Sequence, residues 1–276
     1  MKSGGQPAAL EGKVLVVIGG TAGLGLSACK AFIEAGARVV AVGLKPENVA
    51  SAARELGESA RVLCGNASTA DTAPGAIAEG LAAFGRFDGM YHVAGGSGRR
   101  LGDGPLHEIT DEGWHSTIDL NLTSVFYSNR AAIRQFLAQK TGGSILNMGS
   151  VLGWSPSPRY FATHTYAAAK AAIIGLTRSC AAMYAADNVR FNVLAPALVA
   201  TPMSQRAQAD EAITRFIRAK QPLDGGRIGQ ASDLDAAAVF FMSEASKFVT
   251  GQVLAVDGGW CVSEGGVEER MRDEIS

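Results

Sequence analysis

The stretch Lys13–Gly20, "KVLVVIGG", sets an unbroken apolar run directly against two glycines. A strand with one wet face alternates apolar and polar residues; a strand covered on both faces does not need to. Similar runs recur at Ala37–Gly43, Ala60–Gly65, Phe87–Gly96, Gly143–Ser150, Val189–Pro196 and Gln252–Gly259. Helical patterns separate them: Leu24–Gly36, Glu47–Leu56, Ala73–Phe84, Glu112–Lys140, Tyr166–Ala186, Asp210–Lys220 and Leu234–Glu244. Strand alternating with helix predicts an α/β chain with a doubly wound, seven-stranded, mainly parallel sheet carrying helices on both faces, a single Rossmann-type domain. No Pro- or Ser-rich linker and no internal repeat divides it. The expected domain runs from 12 to 262, between a flexible leader (1–11) and a charged tail (263–276).

Length and composition fit a large buried core: 276 residues, 47% hydrophobic and 18% charged. A net charge of −1 gives no electrostatic reason to expect nucleic acid or an anionic membrane surface as partner. Cys29, Cys64, Cys180 and Cys261 stand far apart, which argues against a zinc site or disulfide framework and for a reducing, cytoplasmic setting. The opening "MKSGGQPAAL" lacks an apolar signal core, and no stretch approaches the ~18 apolar residues of a membrane span. His92, His107, His115 and His164 show no metal-ligand spacing, so no metal is expected.

Glycine is over-represented, at 34 residues, and it clusters after the apolar runs. In "VVIGGTAGLGLSACKAF" Gly19, Gly23 and Gly25 lie between a buried strand and a helix. Glycine there lets backbone N–H groups face a phosphate at a helix N-terminus, where unpaired donors and the dipole favour anions. In doubly wound sheets ligands bind beyond the carboxyl ends of the strands, so the residues after each run are the ones to read for chemistry.

These residues give the chain a resemblance to the short-chain dehydrogenase/reductase family from about Leu10 to Trp260. Ile18, Gly19, Gly23 and Gly25 match the family's T-G-x-x-x-G-x-G, with Ile in place of Thr. His92, Val93, Ala94 and Gly95 stand where it has N-N-A-G, so both asparagines and their backbone bracing are missing. "DLNLTSVF" supplies its asparagine as Asn121, "NMGS" its serine as Ser150, and "YAAAK" its Y-x-x-x-K pair as Tyr166 and Lys170. Pro196–Ala197 replaces its P-G, followed by Thr201 and Met203. The resemblance implies an NAD(P)-dependent oxidoreductase acting on a carbonyl or secondary alcohol. Its catalytic set is Ser150, Tyr166, Lys170 and Asn121. Its cofactor contacts are Gly19, Thr21, Ala22, Gly23, Leu24 and Gly25 in the first turn, then Gly43, Leu44 and Lys45. Asn66, Ala67, Ala94, Gly95, Gly96, Tyr166, Lys170, Pro196, Val199, Thr201 and Met203 complete them. Two further readings stay open: a dehydratase or epimerase using the same tyrosine, and a non-catalytic dinucleotide sensor.

The chemistry suits these side chains. Hydride transfer needs a proton moved on the substrate oxygen, and a free phenol titrates near ~10, too high for a base at neutral pH. Tyr166 and Lys170, four apart on a helix, share a face. An ammonium about 4 Å away at an effective dielectric of ~20 is worth about 4 kcal/mol, enough to lower the phenol by up to roughly three pH units. Ser150 would hold the substrate oxygen. Asn121 would resemble the relay asparagine whose carbonyl holds a water serving the lysine.

The segment Ser150–Tyr166, rich in aromatic residues and proline, forms a semi-rigid substrate wall with Trp154 and Tyr160. Residues 203–226 form a lid. The long helices carry small residues on several faces (Ala131, Ala132, Ala171, Ala172, Ala182), which favours a homotetramer, with a homodimer possible. Gly43 occupies the position where NAD-preferring members place an acid, and Lys45 follows it, which favours NADP over NAD. Arg99 and Arg100 lie near the mouth, either holding an anionic substrate or simply solvated.

Overall fold

The structure, a computed structural model, describes residues 8–265; the leader before residue 8 and the tail beyond 265 lie outside them. In chain order the elements are β1 (Val14–Ile18), α1 (Gly23–Glu34), β2 (Arg38–Gly43), α2 (Pro46–Leu56), β3 (Ala60–Cys64), α3 (Thr72–Phe84) and β4 (Gly89–His92). There follow α4 (Asp111–Ile118), α5 (Ser124–Gln139), β5 (Gly143–Met148), α6 (Pro158–Phe161), α7 (His164–Tyr184) and β6 (Val189–Pro196). The chain closes with α8 (Gln205–Ala209), α9 (Glu211–Lys220), α10 (Asp235–Met242) and β7 (Val253–Val256). The strands lie in the order β3-β2-β1-β4-β5-β6-β7, every pairing parallel.

The continuous apolar runs now have their reason. Leu15 and Val17 of β1, Tyr91 of β4 and Leu146 of β5 pack with Phe32 and Phe241 on one face of the sheet. Val16 and Ile18, Met90 and Ile145 pack with Ala132, Phe136 and Phe191 on the other. Each successive residue meets a different helix layer, so these strands are mostly apolar, and the buried polar residues within them, His92, Ser144 and Asn147, each find a hydrogen-bond partner. Leu10, within the expected leader, is fully buried in the first layer, and its N–H donates to Ala35 O. The packed body therefore begins by Leu10.

The expected helix Glu112–Lys140 runs as α4 and α5 joined by a π-helical turn, Asp119–Thr123, with buried Asn121 at its centre. Such turns widen a helix by one residue and redirect a side chain. No helix among the described residues is long and apolar enough to cross a membrane.

Candidate active site

The order β3-β2-β1-β4 reverses direction between β1 and β4, and doubly wound sheets bind ligands in a crevice beyond the strand ends at such a switch point. The first turn is shaped by contact. A Cβ on Gly19 (φ +89) would sit 2.6 Å from Ala94 N, and one on Gly25 would collide with the Gly19 carbonyl. Helix α1 starts with no side-chain cap at Ala22 and no acidic residue in its first turn. Its leading N–H groups thus keep the positive end open toward an anion. Gly23 faces the Thr201 methyl, 3.5 Å from where its Cβ would be. The strand-end segments after β1 and β6 therefore close on one space. Gly95 completes the cradle: a Cβ there would lie 2.8 Å from Asn121 Oδ1 and 3.5 Å from Lys170 Nζ. An uncapped helix start and a groove kept clear of side chains fit a dinucleotide's pyrophosphate and nicotinamide ribose, the groups these residues would hold.

Asn121 braces the cradle floor. Its Oδ1 accepts from Gly96 N (3.0 Å) and its Nδ2 donates to Gly96 O and to Thr117 O (2.9 Å each). His92, which replaces an asparagine of the resembled motif, supplies bracing of its own. Its Nδ1 lies 2.8 Å from Ser128 Oγ and its Nε2 3.2 Å from Ser124 Oγ, and Ser124 donates to Leu120 O. Ser124 has one proton, already given to that carbonyl. Nε2–H must therefore be the donor to Ser124, and Nδ1 accepts from Ser128. Burial, and then the Lys170 charge, push the imidazole down to about 3. It is a neutral tie between β4 and α5. Ala197 is not among the residues with positive φ, so its backbone takes a side chain without strain.

The sequence brings together Ser150, Tyr166 and Lys170 as expected. Ser150 Oγ accepts from Leu152 N (3.2 Å), which leaves its own proton free to point at another oxygen. Lys170 is buried, donates to Met148 O at 2.8 Å, and lies 5.5 Å from the centre of the Tyr166 ring. The electrostatics differ from the sequence expectation. Desolvation raises the Tyr166 phenol, with the Ser150 hydroxyl opposing it, and no lowering by Lys170 is resolved. Desolvation also pushes Lys170 down to about 8. Residue spacing predicts proximity but not dielectric, and here burial outweighs the pair's mutual effect.

One residue escaped the sequence reading altogether. Asp103, buried in the loop after β4, accepts from Thr165 N through Oδ1 and from Tyr166 N through Oδ2, each at 3.0 Å. It caps α7 and fixes the backbone that carries the tyrosine. Nothing in local pattern ties residue 103 to 166.

The segments expected as wall and lid pack against each other. Tyr160 packs on Phe216 of α9 (centroids 5.0 Å), and Phe161 and Phe216 flank buried Trp260 at 5.8 and 5.7 Å. Ile213 and Ile217 seat α9 in the same cluster. Trp154 instead is exposed, beside Cys261. Val199 O accepts from Ser204 Oγ, which also receives Thr201 N, so the stretch carrying Thr201 and Met203 is a stiff turn. At the far end of the crevice Leu44 and Lys45 are exposed, and Asn66 begins a turn after β3 by accepting from Ser68 N, with Ala67 packed beneath. A Cβ on Gly43 would land on the Thr21 hydroxyl, so glycine at that position is a steric requirement.

A family model described as enoyl-(acyl carrier protein) reductase matches residues 19–261. The chain is 34% identical to the 2-dehydro-3-deoxy-D-gluconate 5-dehydrogenase of Escherichia coli (strain K12) over 252 residues, 91% of this chain and 96% of that one. It is 35% identical to the galactitol 2-dehydrogenase (L-tagatose-forming) of Cereibacter sphaeroides, covering 92% and 96%. The solved structure of a short-chain type dehydrogenase/reductase from Mycobacterium ulcerans superposes with a TM-score of 0.85 at 29% identity, over 97% of this chain and 96% of the other. The chain belongs to the short-chain dehydrogenase/reductase family and is an NAD(P)-dependent oxidoreductase acting on alcohol or carbonyl groups.

Proposed function

We propose that this enzyme interconverts a small secondary alcohol and its carbonyl, with Tyr166 as general acid/base and NADP preferred over NAD. The observation that carries the reading is the meeting of Asn121 and Lys170 at the Gly95–Gly96 cradle, with Tyr166 beside Lys170 and Ser150 at the tyrosine. The bound nicotinamide supplies the hydride chemistry. Around it, Ser150 orients the substrate oxygen, Tyr166 exchanges a proton with that oxygen, and Lys170 holds the ribose and the proton path behind the phenol. The raised phenol is protonated at neutral pH, ready to donate to a carbonyl oxygen. Lys170, poised near 8, accepts or returns a proton at little cost.

The NADP preference rests on β2, which ends in Gly43, Leu44 and Lys45 with no carboxylate to repel a 2′-phosphate. We further infer a homotetramer, or a homodimer as the smaller assembly, located in the cytoplasm. Phe126 on α5 and Met183 on α7 are large exposed apolar groups, as are Leu254 on edge strand β7 and Phe248 just before it. Ala171, Ala172 and Ala182 are exposed on α7, whereas Ala131 and Ala132 face the enzyme's own core. The four cysteines are free thiols, in keeping with a reducing compartment.

Fluorescence titration with NADPH and NADH, and loss of the reduced-nicotinamide absorbance with a panel of ketones, test the reading. NADPH is expected to bind more tightly; equal or tighter NADH binding refutes the preference. Sedimentation as a lone chain of 28.6 kDa at micromolar concentration refutes the assembly.

A further inference from the structure

Three segments form the mouth of the cleft: residues 96–104 after β4, 151–165 between Ser150 and Tyr166, and 197–209 after β6. Together they contain Arg99, Arg100, Arg159 and Arg206 but only one carboxylate, Asp103, in a chain whose net charge is −1. Asp103 is already engaged, since its two oxygens cap the N–H groups of Thr165 and Tyr166. Arg99 and Arg206 approach from opposite walls and donate to the same atom, Tyr160 O, at 3.2 and 3.1 Å. Their donor nitrogens therefore lie no more than about 6 Å apart. Among the described residues neither guanidinium has a carboxylate within 4.0 Å. Arg159 adds a third cation over the Tyr160 ring, 5.3 Å from its centre. Burial, and then the charge of Arg206, lower the affinity of Arg99 for its proton.

Two like charges sharing one neutral carbonyl oxygen are poorly satisfied. A carboxylate has two oxygens for two forks, and Arg presents donors in the planar geometry that matches it. A cationic rim on a weakly acidic protein also draws anions toward the cleft. Each group is exposed, so one arginine alone would contribute little; the convergence of two on one point is what makes a site.

We infer that the substrate is a hydroxy or keto acid whose carboxylate seats between Arg99 and Arg206 while its reacting carbon faces Tyr166. The inference rests on the active-site reading above and narrows its substrate class.

The test is calorimetric titration of the NADPH-loaded full chain, in which reduced cofactor prevents turnover of an alcohol. The probes are matched pairs: gluconate against glucitol, and 4-hydroxycyclohexanecarboxylate against its carboxamide. Wild type and an Arg54→Gln control, altered on the remote face of α2, are expected to bind at least one acid about tenfold tighter than its neutral partner, as hydrogen bonds to a charged group allow. Arg99→Gln and Arg206→Gln should each weaken that preference, and the double variant should bring it near one. Equal affinity for acid and neutral partner in wild type overturns the inference, as does a preference that survives the double variant. Oxidation of the same alcohols with NADP separates the two claims. Arginine-dependent acid binding with no oxidation of any alcohol contradicts the catalytic reading alone. Oxidation of neutral alcohols as efficiently as acids contradicts the carboxylate site alone.

Discussion

Lys170→Met should make the enzyme more stable while it abolishes turnover. The lysine is 2% exposed, and burial pushes its ammonium from 10.5 down to about 8. At about 1.36 kcal/mol per pH unit, holding that proton costs the fold about 3 kcal/mol at pH 7. Methionine has nearly the same length and no charge. It strands Met148 O, which now accepts from Nζ, and so returns about 1 kcal/mol of the gain. A net gain of about 2 kcal/mol corresponds to a melting temperature raised by roughly 4 °C in a chain of this size. The sign with pH follows from linkage. Between about pH 8 and 10.5 the unfolded chain holds the lysine proton and the folded one has released it. Wild-type stability from this group therefore rises with pH across that window, and its deficit is complete only below it. The variant's advantage should shrink from about 2 kcal/mol at pH 7 to nearly nothing at pH 10. Thermal unfolding at both pH values, at one scan rate and equal oligomeric state, measures it. A variant that melts at or below wild type at pH 7, or an advantage unchanged at pH 10, refutes the claim that Lys170 is a strained buried cation.

Asp103→Ala should cost about 1 kcal/mol of stability, the usual worth of a helix N-cap. It should also lower kcat more than it raises KM, because the backbone of Tyr166 loses its anchor; Asp103→Asn, which keeps one acceptor oxygen, should recover part of the loss. Gly43→Asp by itself should unsettle the fold, since its Cβ lands on the Thr21 hydroxyl, whereas Gly43→Asp with Thr21→Gly makes room and should shift cofactor preference toward NAD. Comparison of NADH and NADPH dissociation constants for the single and double variants checks this, and a single variant that folds normally and prefers NADH contradicts the steric argument.

Much of this architecture was legible in residue order. Runs such as Val14–Ile18 read as strands covered on both faces, as the two packed layers bear out, and the glycines after them marked where a phosphate could approach. Helix period placed Tyr166 and Lys170 on one face, and the resemblance carried by the other motifs gave that pair its expected role. What escaped depends on contacts between distant segments. Thr21 fills the space above Gly43, and Asp103 reaches the start of α7, across sequence separations that no local pattern encodes. Asn121 could be recognised, but the π-helical turn that buries it could not, because a helical apolar pattern does not reveal one extra residue in a turn. The phenol's raised pKa is a matter of burial rather than spacing. Ser150 is also instructive: its oxygen caps a turn by accepting from Leu152 N, and its proton stays free for the role proposed for it.

The most direct measurement is the single-turnover rate of hydride transfer by Tyr166→Phe, followed at the reduced-nicotinamide absorbance with a substrate that wild type accepts. The expected loss is at least about a hundredfold, as for removal of a general acid/base, with melting temperature and NADPH affinity nearly unchanged because only a hydroxyl facing the cleft is gone. A folded, cofactor-binding variant that transfers hydride within about tenfold of wild type would contradict the assignment of Tyr166.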